Sequence, residues 1–237
     1  MRPSSHLLAP GFLSRSLDEI KRFAKIAYTQ EGLRTATTPY HLLDFTNPVT
    51  ATMCKTMSDA DMGGFSKVSL DQIAATATEP AHMRFHGNIS IELPPNRPQI
   101  QRTGYAAWRN KDRGPTIFGK SLWDVDPYLY LALRVKSDGR KYFVNVQTES
   151  IEYTDIHQHR LYAQRPGEWE TLLISWTDFV RTNYGQVVEP QNEMMTQKVR
   201  TLGIGLTDRV PGPFNLCISS MWATNEVEDG DTHKTQG

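Results

Sequence analysis

The sequence predicts an all-β fold, a β-sandwich or jelly roll, preceded by a short amphipathic helix. Three observations carry this. From Tyr40 onward, short runs of alternating apolar residues recur at close intervals. Turn residues punctuate them, with 14 Pro and 16 Gly spread along the chain. Between the runs there is no alternation of strand and long helix of the kind a parallel α/β sheet requires.

The helix is expected near the start. Ser16-Leu17-Asp18-Glu19 has the form of a capping box, with Ser16 at the N-cap and Glu19 three residues on. Leu17, Ile20, Phe23, Ala24 and Ala27 follow at helical spacing, with Lys21, Arg22 and Lys25 on the other face. Such a helix lies on a membrane, docks on a partner, or packs on its own domain. Residues 1–16 contain no acid and carry Ser, Arg and Leu, as part of a mitochondrial transit peptide does; an ordinary N-terminal tail reads the same way.

Strands are expected at Leu42–Phe45, Phe65–Leu70, Met83–Ile91, Tyr105–Arg109, Arg160–Gln164, Trp169–Ile174, Leu202–Leu206 and Phe214–Trp222. Short helices or turns fit Ser175–Tyr184 and Glu193–Val199. The domain plan is therefore an N-terminal segment over 1–35, a sandwich over 36–225 and a polar tail over 226–237.

Between Asp126 and Gln147 two alternating runs flank Ser137-Asp138-Gly139-Arg140. Asp-Gly favours the type I′ turn of a β-hairpin, so Asp138 and Gly139 are the expected structural turn and Arg140 should pair with Ser137. In that register Val135 faces Tyr142, Leu133 faces Val144 and Leu131 faces Val146 on a core side. The other side sets Tyr128, Tyr130, Ala132 and Arg134 against Glu149, Gln147, Asn145 and Phe143. Tyr128, Tyr130, Arg134, Phe143, Asn145 and Gln147 are the candidate partner-binding residues, since aromatics and arginine dominate interface hot spots.

Lys+Arg and Asp+Glu are both 26, so nothing global points to nucleic acid. Cys54 and Cys217 have no metal-ligand spacing and read as reduced thiols. No run of 18 apolar residues is present.

Gly114-Pro115-Thr116-Ile117-Phe118-Gly119-Lys120-Ser121 matches the phosphate-loop pattern, but charged residues precede it and Pro127 blocks a long helix after it. It reads as a basic surface loop. Gly203-Ile204-Gly205 lacks the third glycine of a dinucleotide fingerprint; its glycines suit a strand that a neighbouring side chain approaches closely. His82/His86 and His157/His159 each share a strand face without a carboxylate-cysteine cluster, so no metal is expected. The pairs Glu168/Glu170 and Asp124/Asp126 form no recognisable catalytic set, and no cofactor is called for.

Several blocks together resemble the complex I intermediate-associated protein 30 family, also called complex I assembly factor one. They are Ser58-Asp59-Ala60-Asp61-Met62-Gly63-Gly64-Phe65-Ser66, Gly104-Tyr105, Tyr128–Val135 with Ser137-Asp138-Gly139-Arg140, Tyr142–Val146, Gly167-Glu168-Trp169, Ile204-Gly205, Asp208 and Gly212-Pro213-Phe214. The resemblance runs from Leu42 to Thr224. Asn110–Lys120 and Tyr184–Lys198 depart from it. It implies a galactose-binding-like sandwich in the mitochondrial matrix, peripheral to the inner membrane. It also implies a non-catalytic assembly chaperone for the membrane arm of respiratory complex I, absent from the mature enzyme. The implied partners are a membrane-arm assembly intermediate and other assembly factors, in fungi the second intermediate-associated protein. A carbohydrate-binding module of the same sandwich fold is the alternative.

Overall fold

The computed structural model describes residues 11–29, 36, 38–150, 152 and 154–227, with backbone alone for 25–29. The transit-like reading of the first residues and most of the polar tail lie outside the described residues.

A helix, α1 (Phe12–Thr29), comes first. Strand β1 (Tyr40–Asp44) and a one-turn helix α2 (Pro48–Thr52) lead to β2 (Cys54–Ser58), β3 (Lys67–Ile73), β4 (His82–Ile89) and β5 (Ala106–Asn110). The chain continues through β6 (Tyr130–Ser137), β7 (Tyr142–Thr148), β8 (Asp155–Arg160), β9 (Trp169–Ser175), β10 (Val180–Asn183), β11 (Gln186–Val187), β12 (Val199–Leu206) and β13 (Gly212–Thr224).

Two antiparallel sheets form a sandwich. The first has the order β3-β4-β13-β6-β9, with β1 also on β13. At 13 residues β13 is long enough for its first half to pair with β4 and its second with β1, along the same edge. The second sheet runs β11-β10-β8-β7-β12-β5-β2.

One expectation fails here. β6 and β7 do not form a hairpin: β6 pairs with β13 and β9, whereas β7 pairs with β12 and β8. The Asp138-Gly139 turn carries the chain from one sheet to the other. Only Gly139 takes a positive φ, +86°, whereas a type I′ turn needs two such residues. Arg140 has no ladder pairing with Ser137; its N–H bonds the Asp138 carboxylate at 3.0 Å.

The core assignment stands nevertheless. Leu131, Leu133, Val135, Tyr142, Val144 and Val146 are all fully buried. Alternation fixes which side chains point inward, and strands on facing sheets of a sandwich obey the same rule as neighbours in one sheet. Trp108, Phe45, Phe85, Ile204, Leu206 and Leu216 fill the rest of the layer. Each such side chain contributes about 1.5–3 kcal/mol on burial. A bulge at Ser219 resets the alternation of β13, so that Ile218 and Met221 both point inward.

The capping box at Ser16 is also corrected. The helix begins at Phe12, so Ser16 lies inside its second turn, its hydroxyl donating to Phe12 O at 2.9 Å and accepting Ile117 N–H at 3.2 Å. A capping box does occur at Ser58, where Asp61 is its partner.

Candidate functional site

The six residues proposed for partner binding do not share a face. Tyr130 and Arg134 lie on the outer surface of the first sheet; Phe143, Asn145 and Gln147 lie on the outer surface of the second. Two sheets and their packed layer, about 10 Å thick, separate the groups. The alternation read from the sequence was right, but the strands lie opposite each other and not side by side.

On the first sheet Arg134 sits between Ser220 of β13 and Thr171 of β9, and its Nη1 donates to Thr171 Oγ1 at 3.1 Å. One pair further along, Trp222 and Leu173 flank Ala132, which is buried although it points outward. Tyr130 closes this row. The exposed edges of an indole, a guanidinium and a phenol thus share one flat sheet face. Tyr128 precedes the strand; its hydroxyl donates to Thr38 O at 3.1 Å, and its ring stacks on Tyr40 at 6.1 Å. It belongs to the rim of this face.

The second sheet presents a different chemistry. Thr182 Oγ1 donates to Gln158 Oε1 at 3.1 Å, and Gln158 Nε2 donates to Asn145 Oδ1 at 2.8 Å. Thr201 Oγ1 donates to Gln147 Oε1 at 2.9 Å. Phe143 stands opposite Gly205, and Asn145 opposite Gly203. A Cβ on Gly205 would lie 2.9 Å from Asn145 Nδ2, so the bare glycine is what gives that amide its place. The close approach expected at these glycines is present.

At the end of the sandwich where β6 passes to β7, the family-like blocks meet. Asp138 Oδ2 accepts from the Tyr142 hydroxyl at 3.1 Å and Asn215 N–H at 2.7 Å. Burial, reinforced by the Asp138 carboxylate, pushes the Tyr142 phenol far up, so it remains a donor. Arg140 clamps Asp208 with two nitrogens and donates to the carbonyls of Val210, Gly212 and Pro213. Asp59, wholly buried, accepts from Ser66 N–H at 2.9 Å, Ser66 Oγ at 2.8 Å and Gly104 N–H. Arg209, next to Asp208, donates to Thr103 O at 3.3 Å and so ties the two clusters together. These charges hold loops. Their pairings are not visible in the sequence, because the partners lie up to 106 residues apart.

The other motifs go elsewhere. Gly114–Ser121 forms a tight hairpin closed by reciprocal bonds between Thr116 and Gly119 at 2.8 and 3.1 Å, and no helix follows. Lys120 pairs with Glu149 at 2.5 Å. His86 meets Asp71 at 2.6 Å, and His82 bonds Pro80 O at 2.8 Å. Glu170 is buried and accepts the Gln164 and Arg165 N–H groups, and Asp126 accepts the Thr196 hydroxyl. Among the described residues no group of three or more His, Cys, Asp or Glu side chains is placed to hold a metal. Cys54 and Cys217 are buried free thiols on different sheets, and burial pushes the Cys54 thiol up to about 12.

A family model, complex I intermediate-associated protein 30, matches residues 43–218. That span leaves out α1 and, of the sandwich, only the beginning of β1 and the end of β13. The chain belongs to this family. A Neurospora crassa relative named "Complex I intermediate-associated protein 30, mitochondrial" is 47% identical over 99% of this chain and 91% of its own length. Relatives of the same name in Drosophila melanogaster and Mus musculus are 28% and 27% identical over 75% and 68% of the chain. The chain spans only 60% and 48% of those animal proteins. Among solved structures, a family 11 carbohydrate-binding module from Clostridium thermocellum, in complex with a mixed-linked tetrasaccharide, aligns with a TM-score of 0.54 at 13% identity. It covers 80% of this chain and 97% of the module. A second family 11 module aligns at 0.53 with 14% identity, over 85% of the chain and 99% of the module. At that identity the likeness shows the fold, a galactose-binding-like sandwich, and nothing about ligand.

Proposed function

We propose that this family member is a mitochondrial assembly factor for respiratory complex I. It acts without catalysis, as a chaperone that holds a membrane-arm intermediate competent for joining and leaves before the enzyme matures. It works in the matrix, peripheral to the inner membrane, alongside other assembly factors, among them a second intermediate-associated protein in fungi. The observation that carries this is the 47% identity along nearly the whole of both chains to a protein named for that association. No helix among the described residues is long and apolar enough to cross a membrane, which suits a peripheral role.

The outer face of the first sheet is the proposed contact for the intermediate. Tyr130 and Arg134, with Trp222 beside them and Tyr128 at the rim, are residue types that dominate hot spots. The test is recovery of complex I intermediates from mitochondria on tagged chain carrying Tyr130→Ala and Arg134→Glu. Recovery should fall at least tenfold while the thermal midpoint holds; undiminished recovery refutes the assignment. A parallel Phe143→Ala, Asn145→Asp variant probes the other sheet.

A carbohydrate-binding reading is favoured by one observation, the amide and hydroxyl ladder over Asn145, Gln147, Gln158 and Thr201. Retention on a glycan array, lost in the second variant, would select it.

A further inference from the structure

Helix α1 is held to the sandwich by an unusual side. Arg15 donates from Nε and Nη2 to Pro115 O at 3.4 and 3.2 Å, and Ser16 accepts Ile117 N–H. Phe23 meets Phe118 edge to face at 5.4 Å, and Arg22, paired with Glu19, lies 5.1 Å over the Phe23 ring. Of the helix side chains described, Ser16 is the buried one, at 4% exposure. The apolar stripe points elsewhere. Leu13, Leu17, Ile20 and Ala24 recur at i, i+4, i+7 and i+11, and Leu13 and Leu17 are 74% and 54% exposed. An amphipathic helix packing for stability buries that stripe; this one turns it outward.

The stripe has a neighbour. The hairpin closed by Thr116 and Gly119 grips the helix through its backbone and raises Ile117 and Phe118 at its tip, 56% and 58% exposed. Helix stripe and hairpin tip form one apolar patch. The two segments that build it, 12–29 and 110–121, hold seven Lys and Arg against three Asp and Glu, in a chain whose total charge is zero; of the seven, Arg113 lies over Trp123 and Lys120 pairs with Glu149.

We infer that this patch is a membrane-interface anchor, with α1 lying in the headgroup layer of a bilayer that carries anionic phospholipid. Shallow insertion of an apolar stripe beneath a cationic rim is how interfacial helices bind, and the positive excess complements an anionic surface. The same excess disfavours a second copy as occupant, since two positively charged segments would face each other. The hairpin fixes the helix to the sandwich, so the bilayer would also set the orientation of the two sheet faces. This rests on the membrane-peripheral part of the proposed function and names the surface responsible.

The test is co-sedimentation of the full chain with phosphatidylcholine vesicles, with and without phosphatidylglycerol. Binding should require the anionic lipid and weaken as salt rises. Leu17→Glu with Ile20→Glu should cut partitioning at least tenfold, and Ile117→Asp should cut it independently, with unchanged thermal midpoints because all three side chains are exposed. Leu13→Trp should show a blue-shifted emission on adding anionic vesicles. Absence of binding, equal binding by the charged variants, or loss of a concentration-dependent dimer in their place would each overturn the assignment. Undiminished recovery of complex I intermediates by a variant that no longer binds vesicles would separate this anchor from the assembly role.

Discussion

Arg140 and Asp208 form a two-armed ion pair, with Nε 3.0 Å from Oδ2 and Nη2 2.7 Å from Oδ1. The Asp208 side chain is only 5% exposed. The pair joins the loop leaving β6 to the loop leaving β12, and the remaining guanidinium nitrogen reaches the carbonyls that open β13. Two connections at one end of the sandwich, and the start of β13, therefore share a single cation.

Removing that cation should be costly. Arg140→Met leaves the Asp208 carboxylate buried with no cation and only the Val210 N–H to answer it, and breaking a buried pair in this way costs about 3–5 kcal/mol. Arg140→Lys should recover only part of the loss, because an ammonium cannot reproduce the fork. Arg140→Met with Asp208→Leu should recover more, since no lone charge remains. Urea unfolding of the three variants checks the order; equal stability of Arg140→Met and wild type would refute it.

The two glycines of β12 should respond differently to alanine. At Gly205 the new methyl meets Asn145 Nδ2, the end of a side chain that can swing away. The cost should be about 1 kcal/mol, the worth of the lost bond to Gln158. At Gly203 the methyl would lie 2.2 Å from Trp108 O, a backbone atom of β5. The strands would have to part, so Gly203→Ala should cost more, about 1–3 kcal/mol or above. Chemical denaturation of both variants tests the ranking.

The core was legible in the sequence because alternation reports burial whatever the strand's neighbour is. Leu131, Leu133 and Val135, and Tyr142, Val144 and Val146, therefore pointed inward as read. Sheet membership was not legible. A two-residue turn between alternating runs serves a hairpin or a crossing between sheets, and the hydrogen bonds that Asp138 accepts from Tyr142 and Asn215 decide for the crossing. That is why Tyr130 and Arg134 parted from Phe143, Asn145 and Gln147. The strand expected over Arg160–Gln164 lies instead at Asp155–Arg160, as β8, because its inward positions are Asp155, His157 and His159, which break the apolar pattern. Strand β2, Cys54-Lys55-Thr56-Met57-Ser58, is an edge with little alternation to read. Ser16 misled because a hydroxyl three residues before a glutamate also occurs inside a helix, where it can back-bond to the preceding turn.

A charge in the core should be fatal where a charge on the face is not. Leu133→Asp places a carboxylate at a fully buried site between the sheets and should prevent folding, read as loss of near-ultraviolet circular dichroism. Leu133→Ala should fold but lose about 2–5 kcal/mol. Lys55→Glu, on the exposed edge strand, should change stability by about 0.5 kcal/mol or less. A folded, stable Leu133→Asp would show that the core assignment is wrong.

His157 and His159 should give the protein an acid-side weakness. Both point inward from β8, and both Nδ1 atoms are buried without a hydrogen-bond partner. Burial lowers each imidazole from its ordinary value of 6.5. The Asp155 carboxylate opposes this at His157 and Arg181 adds to it, while Asp178 opposes it at His159. The folded state thus favours neutral rings, and the unfolded chain takes up protons first as pH falls below about 6.5. Their contribution is complete above that value and is lost as pH falls through the lowered folded-state values. Urea midpoints should decline between pH 7.5 and pH 5, and His157→Gln with His159→Gln should flatten the decline over that range. An unchanged slope in the double variant would assign the weakness to other groups.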